Sequence, residues 1–248
     1  MRLYKYMSTK KYVKDGKERN SLKYIFEDKV LRFSSPLKFN DPFEFKYSIK
    51  NLNPSESDEL NETVNCLNTN DKLHYATLDY SLKSIGTLCL SGKKDNILMW
   101  SHYSDNHRGI VLELDAEHDF FKNKLNNYEL KILPYGLKKV NYVKDRLIFE
   151  DLSAFMDEKF YLTKNIIWEY EDEYRMTILL DEVDDSNKYN IKFPTNLIKA
   201  VYLGINIDNK DIEYIKEIKN NEEWKHIKVY QFKLDNKEYK LHPYEILL

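Results

Sequence analysis

Short apolar runs of strand length recur along the chain and constrain its fold more than any other feature. Residues 85–90 (IGTLCL) and 109–114 (GIVLEL) have the length and apolar character of central strands. Further strands are predicted at residues 2–7, 30–33, 139–143, 174–180, 189–193, 198–204 and 227–234. Strands outnumber helices, and the phosphate-binding patterns GxGxxG and GxxxxGK do not occur. The sequence therefore predicts an α+β protein with mixed, mostly antiparallel sheets and flanking helices.

Helical segments are fewer and shorter than the strands. They are a short helix capped by Ser21, a helix over residues 116–124 capped by Asp115, an apolar stripe through residues 152–160, and a helix over residues 211–218 introduced by Asp208 and Asn209. Residues 51–75 are polar with a weak helical pattern, which indicates an excursion from the core. We expect one domain over residues 1–248.

Composition favours a reducing compartment and gives no sign of a membrane partner. The 248 residues contain 39 Lys and Arg against 41 Asp and Glu, so the net charge does not indicate nucleic-acid or anionic-membrane binding. The two cysteines, Cys66 and Cys89, are too few and too far apart for a disulfide framework or a CxxC metal site. No run approaches the ~20 apolar residues of a membrane span, and the first residues lack the apolar core of a signal peptide. We expect a cytoplasmic protein.

The segment FSSPLKFNDPFEF, residues 33–45, is predicted to be an ordered but irregular loop. Two prolines interrupt regular structure, and Asn40 and Asp41 are turn formers. The loop can be ordered because its four Phe side chains pack against the protein, or because it must hold Asn40, Asp41 and Glu44 beside a ligand. Both explanations remain open.

A second cluster, in the segment NILMWSHYSDNHRG, lies on the connection between two predicted strands. Trp100 and Tyr103 are suited to stack on a flat ring, and His102 is suited to donate or accept a proton. Arg108, next to His107, is suited to contact a phosphate. Local packing and capping explain the same residues without a ligand. Zinc is disfavoured, because the two histidines lie five residues apart without a cysteine nearby.

A third cluster, WEYEDEYR, contains Glu171, Glu173 and Arg175. On a strand these side chains alternate onto one face, whereas on a helix Glu171 and Arg175 form a surface pair. The apolar run MTILL that follows favours a strand. Carboxylates beside a guanidinium perturb one another, which is typical of a site that acts on a proton or a developing positive charge. A solvated ladder of salt bridges is the alternative.

Four motifs, in this order, resemble a widespread bacterial family known as domain of unknown function 2971. They are LYKY near the start, FSSPLKFNDPFE, LCLS followed by MWSHYSDNHRG, and WEYEDEYR, and together they lie within residues 3–205. The resemblance implies a cytoplasmic protein, and phage-defence or toxin-like systems are expected to include some members of the family.

The motif order is also similar, more loosely, to the ADP-ribosyltransferase fold. In that fold NAD is held by His or Arg on a first strand, by Ser or Tyr on a later strand, and by Glu, often as ExE, on a final strand. The sequence EDE at residues 171–173 matches the ExE pattern. The first strand differs from the family, because it carries Tyr4, Lys5 and Tyr6 where His or Arg is expected.

This second resemblance, combined with the three clusters, implies a site that takes NAD as its substrate and needs no metal. Glu173 would stabilise the oxocarbenium-like ribose that forms when the nicotinamide bond breaks. The other implied residues are catalytic Glu171, Tyr103 and His102, and cofactor-binding Tyr4, Lys5, Tyr6, Asn40, Asp41, Ser91, Trp100, Arg108 and Arg175. The acceptor would be water or a macromolecule, either protein or nucleic acid.

Three other functions fit the same residues. A nucleotide-binding module would use the pocket for stacking and hydrogen bonding without turnover. A metal-dependent nuclease or phosphoesterase would use Asp41, Glu44, His102, Glu171 and Glu173, and a chelator would abolish its activity. A structural or partner-binding protein would use the aromatic residues only as core.

Overall fold

The apolar strand runs pair into one eight-stranded sheet, which is the framework of the fold. The computed structural model describes residues 1–14, 16–45, 48–49, 80, 82–122, 136–149, 157–179 and 190–246. Within these residues the strands are β1 Arg2–Met7, β2 Tyr12–Lys14, β3 Lys17–Arg19, β4 Val30–Arg32, β5 Ser48–Ile49, β6 Ile85–Ser91, β7 Ile110–Asp115, β8 Lys138–Lys139, β9 Asn141–Val143, β10 Ile148–Phe149, β11 Thr163–Asn165, β12 Glu173–Leu179, β13 Asn190–Lys192, β14 Ile198–Leu203, β15 Lys228–Leu234 and β16 Leu241–Glu245.

Short helices connect and flank these strands. In the same residues the α-helices are α1 Ser21–Phe26, α2 Ile97–Tyr103, α3 Glu158–Leu162 and α4 Asn209–Lys219, and the 3₁₀ helices are Pro36–Lys38, Asp119–Lys122, Ile166–Glu171 and Thr195–Leu197. None of these helices combines the length and the apolar character that a membrane crossing requires.

The large sheet is mixed but mostly antiparallel. Its strand order is β16-β15-β14-β7-β1-β6-β12-β8. Within this sheet, β14 and β15 are the only described strands that pair in parallel, and α4 lies between them in the chain, as a crossover connection requires. The described residues also form four separate two-stranded pairs, β10 with β5, β11 with β9, β13 with β4 and β2 with β3. The α+β class predicted from the sequence is confirmed.

The two faces of the large sheet bury different cores, because strand side chains alternate between faces. Leu88 and Leu90 of β6 belong to the larger core, which also includes apolar side chains of α1 and α4. The smaller core, on the opposite face, contains Tyr4 and Tyr6 of β1 together with Trp100 of α2. The clusters identified in the sequence lie on or beside this second face.

Several local predictions differ from the structure. The side chain of Asn20, not Ser21, caps α1 by accepting from the backbone N–H of Lys23 at 3.1 Å. The helix predicted behind Asp115 is only the 3₁₀ turn Asp119–Lys122 in the described residues. Strand β16 was not predicted, since its sequence LHPYE lacks the alternation of a half-buried strand. The excursion at 51–75 and residues 152–156 of the helical stripe lie outside the described residues.

Candidate functional site

A cleft of about 360 Å³ opens over β1, β6 and β12 on the second face of the sheet. Its lining residues come from five segments of the chain: Tyr4, Lys5 and Tyr6; Ser34, Lys38, Phe39, Asn40 and Glu44; Cys89, Leu90 and Ser91; Met99, His102 and Tyr103; and Lys164, Glu171 and Glu173. A volume of this size lies at the lower end of the range of small-molecule sites, about 300–1,000 Å³. All three sequence clusters and the first strand therefore contribute to one concave site.

The strand register places three candidate residues in a single row across the floor of the cleft. Tyr4 on β1 pairs with Ser91 on β6, and Ser91 pairs with Glu173 on β12. Directly paired residues share a face, and neighbouring strands lie about 4.8 Å apart. The row of Tyr4, Ser91 and Glu173 thus brings together residues separated by up to 169 positions in the chain.

Helix α2 forms one wall of the cleft, and Asn96 fixes its start. The Asn96 side chain accepts from the backbone N–H of Met99 at 3.1 Å and donates to the carbonyl of Tyr170 at 2.8 Å. At the other end of α2, the Tyr103 hydroxyl donates to Glu171 Oε1 at 2.6 Å. Both ends of the helix are therefore tied to the 3₁₀ helix Ile166–Glu171.

Asp172 turns the chain between the two glutamates of the EDE sequence. Its φ of 45° is left-handed, and it ends the 3₁₀ helix so that β12 begins at Glu173. Its carbonyl accepts from the N–H of Gly92 at 2.8 Å, and its carboxylate pairs with Lys139 at 2.6 Å. As a result Glu173 lies on the strand and Glu171 precedes it, yet both line the cleft.

The prediction for the third cluster is therefore confirmed in part. Glu173 and Arg175 lie on one face of a strand, whereas the helical surface pair is wrong because Arg175 is only 1% exposed. Glu171 is not on the strand. The solvated ladder of salt bridges is also wrong, since Glu171, Glu173 and Arg175 are all buried.

Five buried charged side chains form an acid–base cluster at the floor of the cleft: Glu44, Glu171, Glu173, Lys164 and Arg175. Lys164 is central, because its Nζ donates to Glu171 Oε2 at 2.6 Å and to Glu173 Oε2 at 3.1 Å. The same Nζ lies 3.7 Å from Glu44 Oε2. One ammonium group thus links three carboxylates from two segments of the chain.

Arg175 holds the other side of Glu173. Its Nε donates to Glu173 Oε1 at 2.8 Å and its Nη2 to Glu173 Oε2 at 2.9 Å, which is a two-point contact. Its Nη1 donates to the carbonyl of Tyr161 at 3.1 Å, and Nη2 also contacts Glu44 Oε1. The acid–base cluster contains three carboxylates and two cations, so it is one positive charge short of neutrality.

Burial and charge shift the proton affinities in the acid–base cluster. Burial alone would lower the pKa of Lys164, but Glu173 and Glu171 raise it above the ordinary lysine value. Burial raises the pKa of Glu173 above its ordinary value, against the lowering effect of Lys164. Burial and the neighbouring Glu171 raise the pKa of Tyr103, so its hydroxyl stays protonated and donates. Lys164 and Tyr103 therefore both donate hydrogen bonds to the Glu171 carboxylate.

Lys5 and Cys89 extend the polar lining beside this cluster. Lys5 Nζ donates to the carbonyl of Cys89 at 3.1 Å, and loss of hydration lowers the pKa of Lys5. Loss of hydration raises the pKa of the Cys89 thiol well above its ordinary value. The thiol is therefore neutral at physiological pH and is a poor nucleophile.

Nine of the thirteen site residues predicted from the sequence line the cleft. They are Tyr4, Lys5, Tyr6, Asn40, Ser91, His102, Tyr103, Glu171 and Glu173. Their proximity follows from the strand register and from the contacts of α2, neither of which the sequence specifies directly.

The other four predicted residues lie elsewhere. Trp100 is fully buried, packs against Tyr6 and donates its indole N–H to the carbonyl of Lys94 at 2.8 Å. Arg108 is exposed and is not among the lining residues. Arg175 lies in the acid–base cluster. Asp41 lines a neighbouring cavity.

Local packing explains His107 in the central segment. Its ring is stacked on Trp100 with centroids 6.3 Å apart, and its Nε2 lies 3.1 Å from Ser101 Oγ. In the loop of residues 33–45, Phe39 and Phe45 pack edge to face at 5.6 Å, whereas Asn40 borders the cleft. The loop thus combines packing with a polar contribution to the site.

Sequence analysis did not identify Lys164, although it is the centre of the acid–base cluster. The residue lies on β11, a three-residue strand that pairs in parallel with β9. The surrounding sequence TKN has neither an apolar alternation nor a recognisable motif. The one sequence signal is proximity, since Lys164 precedes Glu171 by seven residues.

No group of three or more His, Cys, Asp or Glu side chains in the described part of the chain is arranged to hold a metal ion. Of the residues proposed for a metal-dependent nuclease, Glu44, Glu171 and Glu173 instead surround the Lys164 ammonium group. A bound cation there would be repelled by this group.

Comparison with known proteins gives one finding. Residues 99–176 match the model of a family described as "Protein of unknown function (DUF2971)". The matched segment is less than half of the chain, but it begins within α2 and ends within β12, so it includes Tyr103, Lys164, Glu171 and Glu173. It supports the family resemblance of the sequence motifs. No curated protein and no solved structure matches the chain.

Proposed function

We propose that the cleft binds NAD and promotes cleavage of the nicotinamide–ribose bond, with transfer of ADP-ribose to water or to a macromolecule. The observation that carries this proposal is the row of Tyr4, Ser91 and Glu173. In the ADP-ribosyltransferase fold, strands that carry His or Arg, Ser or Tyr, and Glu together form the NAD site. The register of β1, β6 and β12 supports the proposal because it brings Ser91 and Glu173 next to the first strand, which carries Tyr4 in place of His or Arg.

The charge of the acid–base cluster also favours this chemistry. Breaking the nicotinamide bond creates positive charge on the ribose, which a nearby carboxylate stabilises in a site with little water. Three carboxylates face two cations in the cluster, so a developing positive charge would complete its charge balance. Glu173 is the proposed stabilising carboxylate, and Tyr103 and Lys164 orient Glu171 beside it.

The dimensions of the cleft suggest how NAD would lie. A volume of about 360 Å³ suits the nicotinamide riboside half, with the rest of the dinucleotide extending past the rim. Lys38 and Asn40 are exposed at this rim. The exposed Lys38 is the proposed partner of the pyrophosphate, a role that the sequence suggested for Arg108.

Nicotinamide release tests the proposal. Purified protein would be incubated with NAD and free nicotinamide followed by chromatography, with Glu173→Gln as the test variant. We expect this variant to lose at least about 10²-fold in rate. Glu169→Gln is the matched control, since Glu169 is exposed on the adjoining 3₁₀ helix and does not line the cleft. Equal rates in the wild type and Glu173→Gln would contradict the role of Glu173.

A nucleotide-binding module without turnover is the second candidate. The observation in its favour is that both Glu173 oxygens already accept hydrogen bonds from Arg175 or Lys164. Such a carboxylate is held rigidly and is less available to a substrate. Calorimetric titration distinguishes the two functions: heat of NAD binding without nicotinamide release, in the presence of candidate acceptors, would favour the binding module.

A further inference from the structure

A second cavity lies next to the cleft and shares Glu44 and Lys164 with it. Its volume is about 170 Å³, which is room for roughly six water molecules at the volume of the liquid. The Lys164 and Glu44 side chains, 3.7 Å apart, line both spaces. The cavity is therefore large enough for the end group of a small ligand.

Three aromatic rings contribute to the walls of the second cavity: Phe43, Phe45 and Phe160. Phe45 and Phe160 pack edge to face at 5.6 Å and are buried, so these two walls are fixed. Phe43 is 57% exposed and belongs to the outer wall. Aromatic faces carry partial negative charge, which attracts organic cations.

Asp41 gives the second cavity an acidic group without a matching donor. Its Oδ1 accepts from the backbone N–H of Phe43 at 2.9 Å. Its Oδ2 is screened from water and accepts no hydrogen bond from any residue that the structure describes. A buried oxygen without a donor is costly, and nearly all such groups in proteins have a partner.

The cations near this carboxylate are already engaged. Lys164 binds Glu171 and Glu173, and Arg175 binds Glu173 and the carbonyl of Tyr161. Arg146 also lines the cavity, but it is exposed, with its guanidinium 5.6 Å from the ring of Phe43. The interior of the cavity is therefore acidic and aromatic.

We propose that the second cavity binds a small organic cation, namely an alkyl guanidinium or ammonium group. The N–H groups of the cation would supply the missing donor to Asp41 Oδ2, and its charge would lie against the aromatic walls. An anion is opposed by Asp41 and Glu44. This inference does not depend on NAD, because it concerns a separate space with its own acidic group.

Calorimetric titration of n-butylguanidinium into the protein, with n-butylurea as the neutral analogue of similar shape, tests the proposal. We expect saturable binding of the guanidinium and weaker binding of the urea by on the order of tenfold to a hundredfold, since the charge-assisted hydrogen bond is lost. Equal affinity for the two compounds, or no saturable binding of either, would overturn the proposal; in the latter case the cavity holds only water.

Two variants test the location of the site. Asp41→Asn keeps an oxygen for the N–H of Phe43 but removes the charge, and we expect a loss of affinity of the same order as for the urea. Asp119→Asn is the matched control, because Asp119 is exposed and lines neither the cavity nor the cleft, and this variant should bind as the wild type does. Unchanged binding in Asp41→Asn would overturn the assignment.

A measurement on the wild-type protein covers the case in which Asp41→Asn fails to fold. Nuclear Overhauser effects between the butyl protons and the rings of Phe43 and Phe160 are expected, and saturable binding without them would place the cation elsewhere.

Titration with N-acetylarginine amide distinguishes the source of the cation. If N-acetylarginine amide binds more tightly than n-butylguanidinium, the natural cation is an arginine side chain of a peptide. If it binds more weakly, the natural cation is a free small molecule.

Discussion

Lys164 connects the buried charges at the floor of the cleft, because its ammonium group is shared by three buried carboxylates. We expect Lys164→Met to lower the free energy of unfolding by about 3–5 kcal/mol, since the variant leaves uncompensated charge in the interior. Urea denaturation measures the difference.

The control for this variant is Lys138→Met. Lys138 pairs with Glu158 at 2.6 Å, but both side chains are 46% exposed, so the cost should stay below about 1 kcal/mol. Equal destabilisation by the two substitutions would contradict the central position of Lys164 in the acid–base cluster.

Sequence reasoning at the residue scale succeeded where a pattern carried the information. Alternation along WEYEDEYRMTILL placed Glu173 and Arg175 on one face of a strand, and the structure agrees. Lys164 was missed because its position depends on a short parallel pairing that no local pattern encodes. Trp100 was predicted to stack on a ligand, but the structure buries it. The amphipathic helix α2 directs its indole into the smaller core on the second face of the sheet.

At the scale of elements, the close contact between the end of β6 and the turn before β12 shapes the cleft. A Cβ on Gly92 would overlap the Asp172 carboxylate. We expect Gly92→Ala to destabilise the protein by about 1–3 kcal/mol, because the Asp172 carboxylate must move away from the added methyl group and gives up its pair with Lys139; a shift passed on to the neighbouring Glu171 and Glu173 would also weaken ligand binding in the cleft. Thermal denaturation and NAD titration measure the two effects.

Lys93→Ala is the control for this contact. Lys93 is the next residue and its side chain is exposed, while its backbone accepts from the Tyr6 hydroxyl at 2.9 Å and is unaffected by the substitution. If Gly92→Ala were as stable as Lys93→Ala, the contact would not constrain the site.

The turn after α2 makes stability depend on pH. His107 has a φ of 66°, and burial lowers its pKa below the ordinary histidine value. The unfolded chain therefore binds more protons than the folded one in this range, so stability falls as pH falls below about 6.5. We expect His107→Asn, which also tolerates positive φ, to lose less stability than the wild type between about pH 7 and pH 5.

Urea denaturation of both proteins at the two pH values checks this expectation. The same loss of stability in the wild type and in His107→Asn would show that other groups determine the acid sensitivity.

At the scale of the whole molecule, strands from both ends of the chain share one sheet. β1 lies between β6 and β7, and β16 forms an edge. Trp224 packs in the larger core, and Trp100 packs in the smaller core on the opposite face of the sheet. We expect both faces to unfold together, so that tryptophan fluorescence and far-ultraviolet circular dichroism give one coincident urea transition. Two separate transitions would contradict the single domain expected from the sequence.

Whole-molecule topology was the part least accessible to sequence analysis. Apolar runs identified most strands of the large sheet and hence the α+β class. The insertion of β1 between β6 and β7, and the row of Tyr4, Ser91 and Glu173, come from non-local pairings that leave no local signature. The candidate site was predicted as a set of residues, whereas its geometry required the structure.

The most direct test of the central claim is a crystal structure of the wild-type protein with an NAD analogue whose ribose ring oxygen is replaced by a methylene group. Such an analogue cannot form the oxocarbenium and should remain intact. We predict that its nicotinamide-side ring lies over the row of Tyr4, Ser91 and Glu173, with the pyrophosphate near Lys38. An empty cleft at saturating analogue, or an analogue bound elsewhere, would contradict the assignment of this cleft as an NAD site.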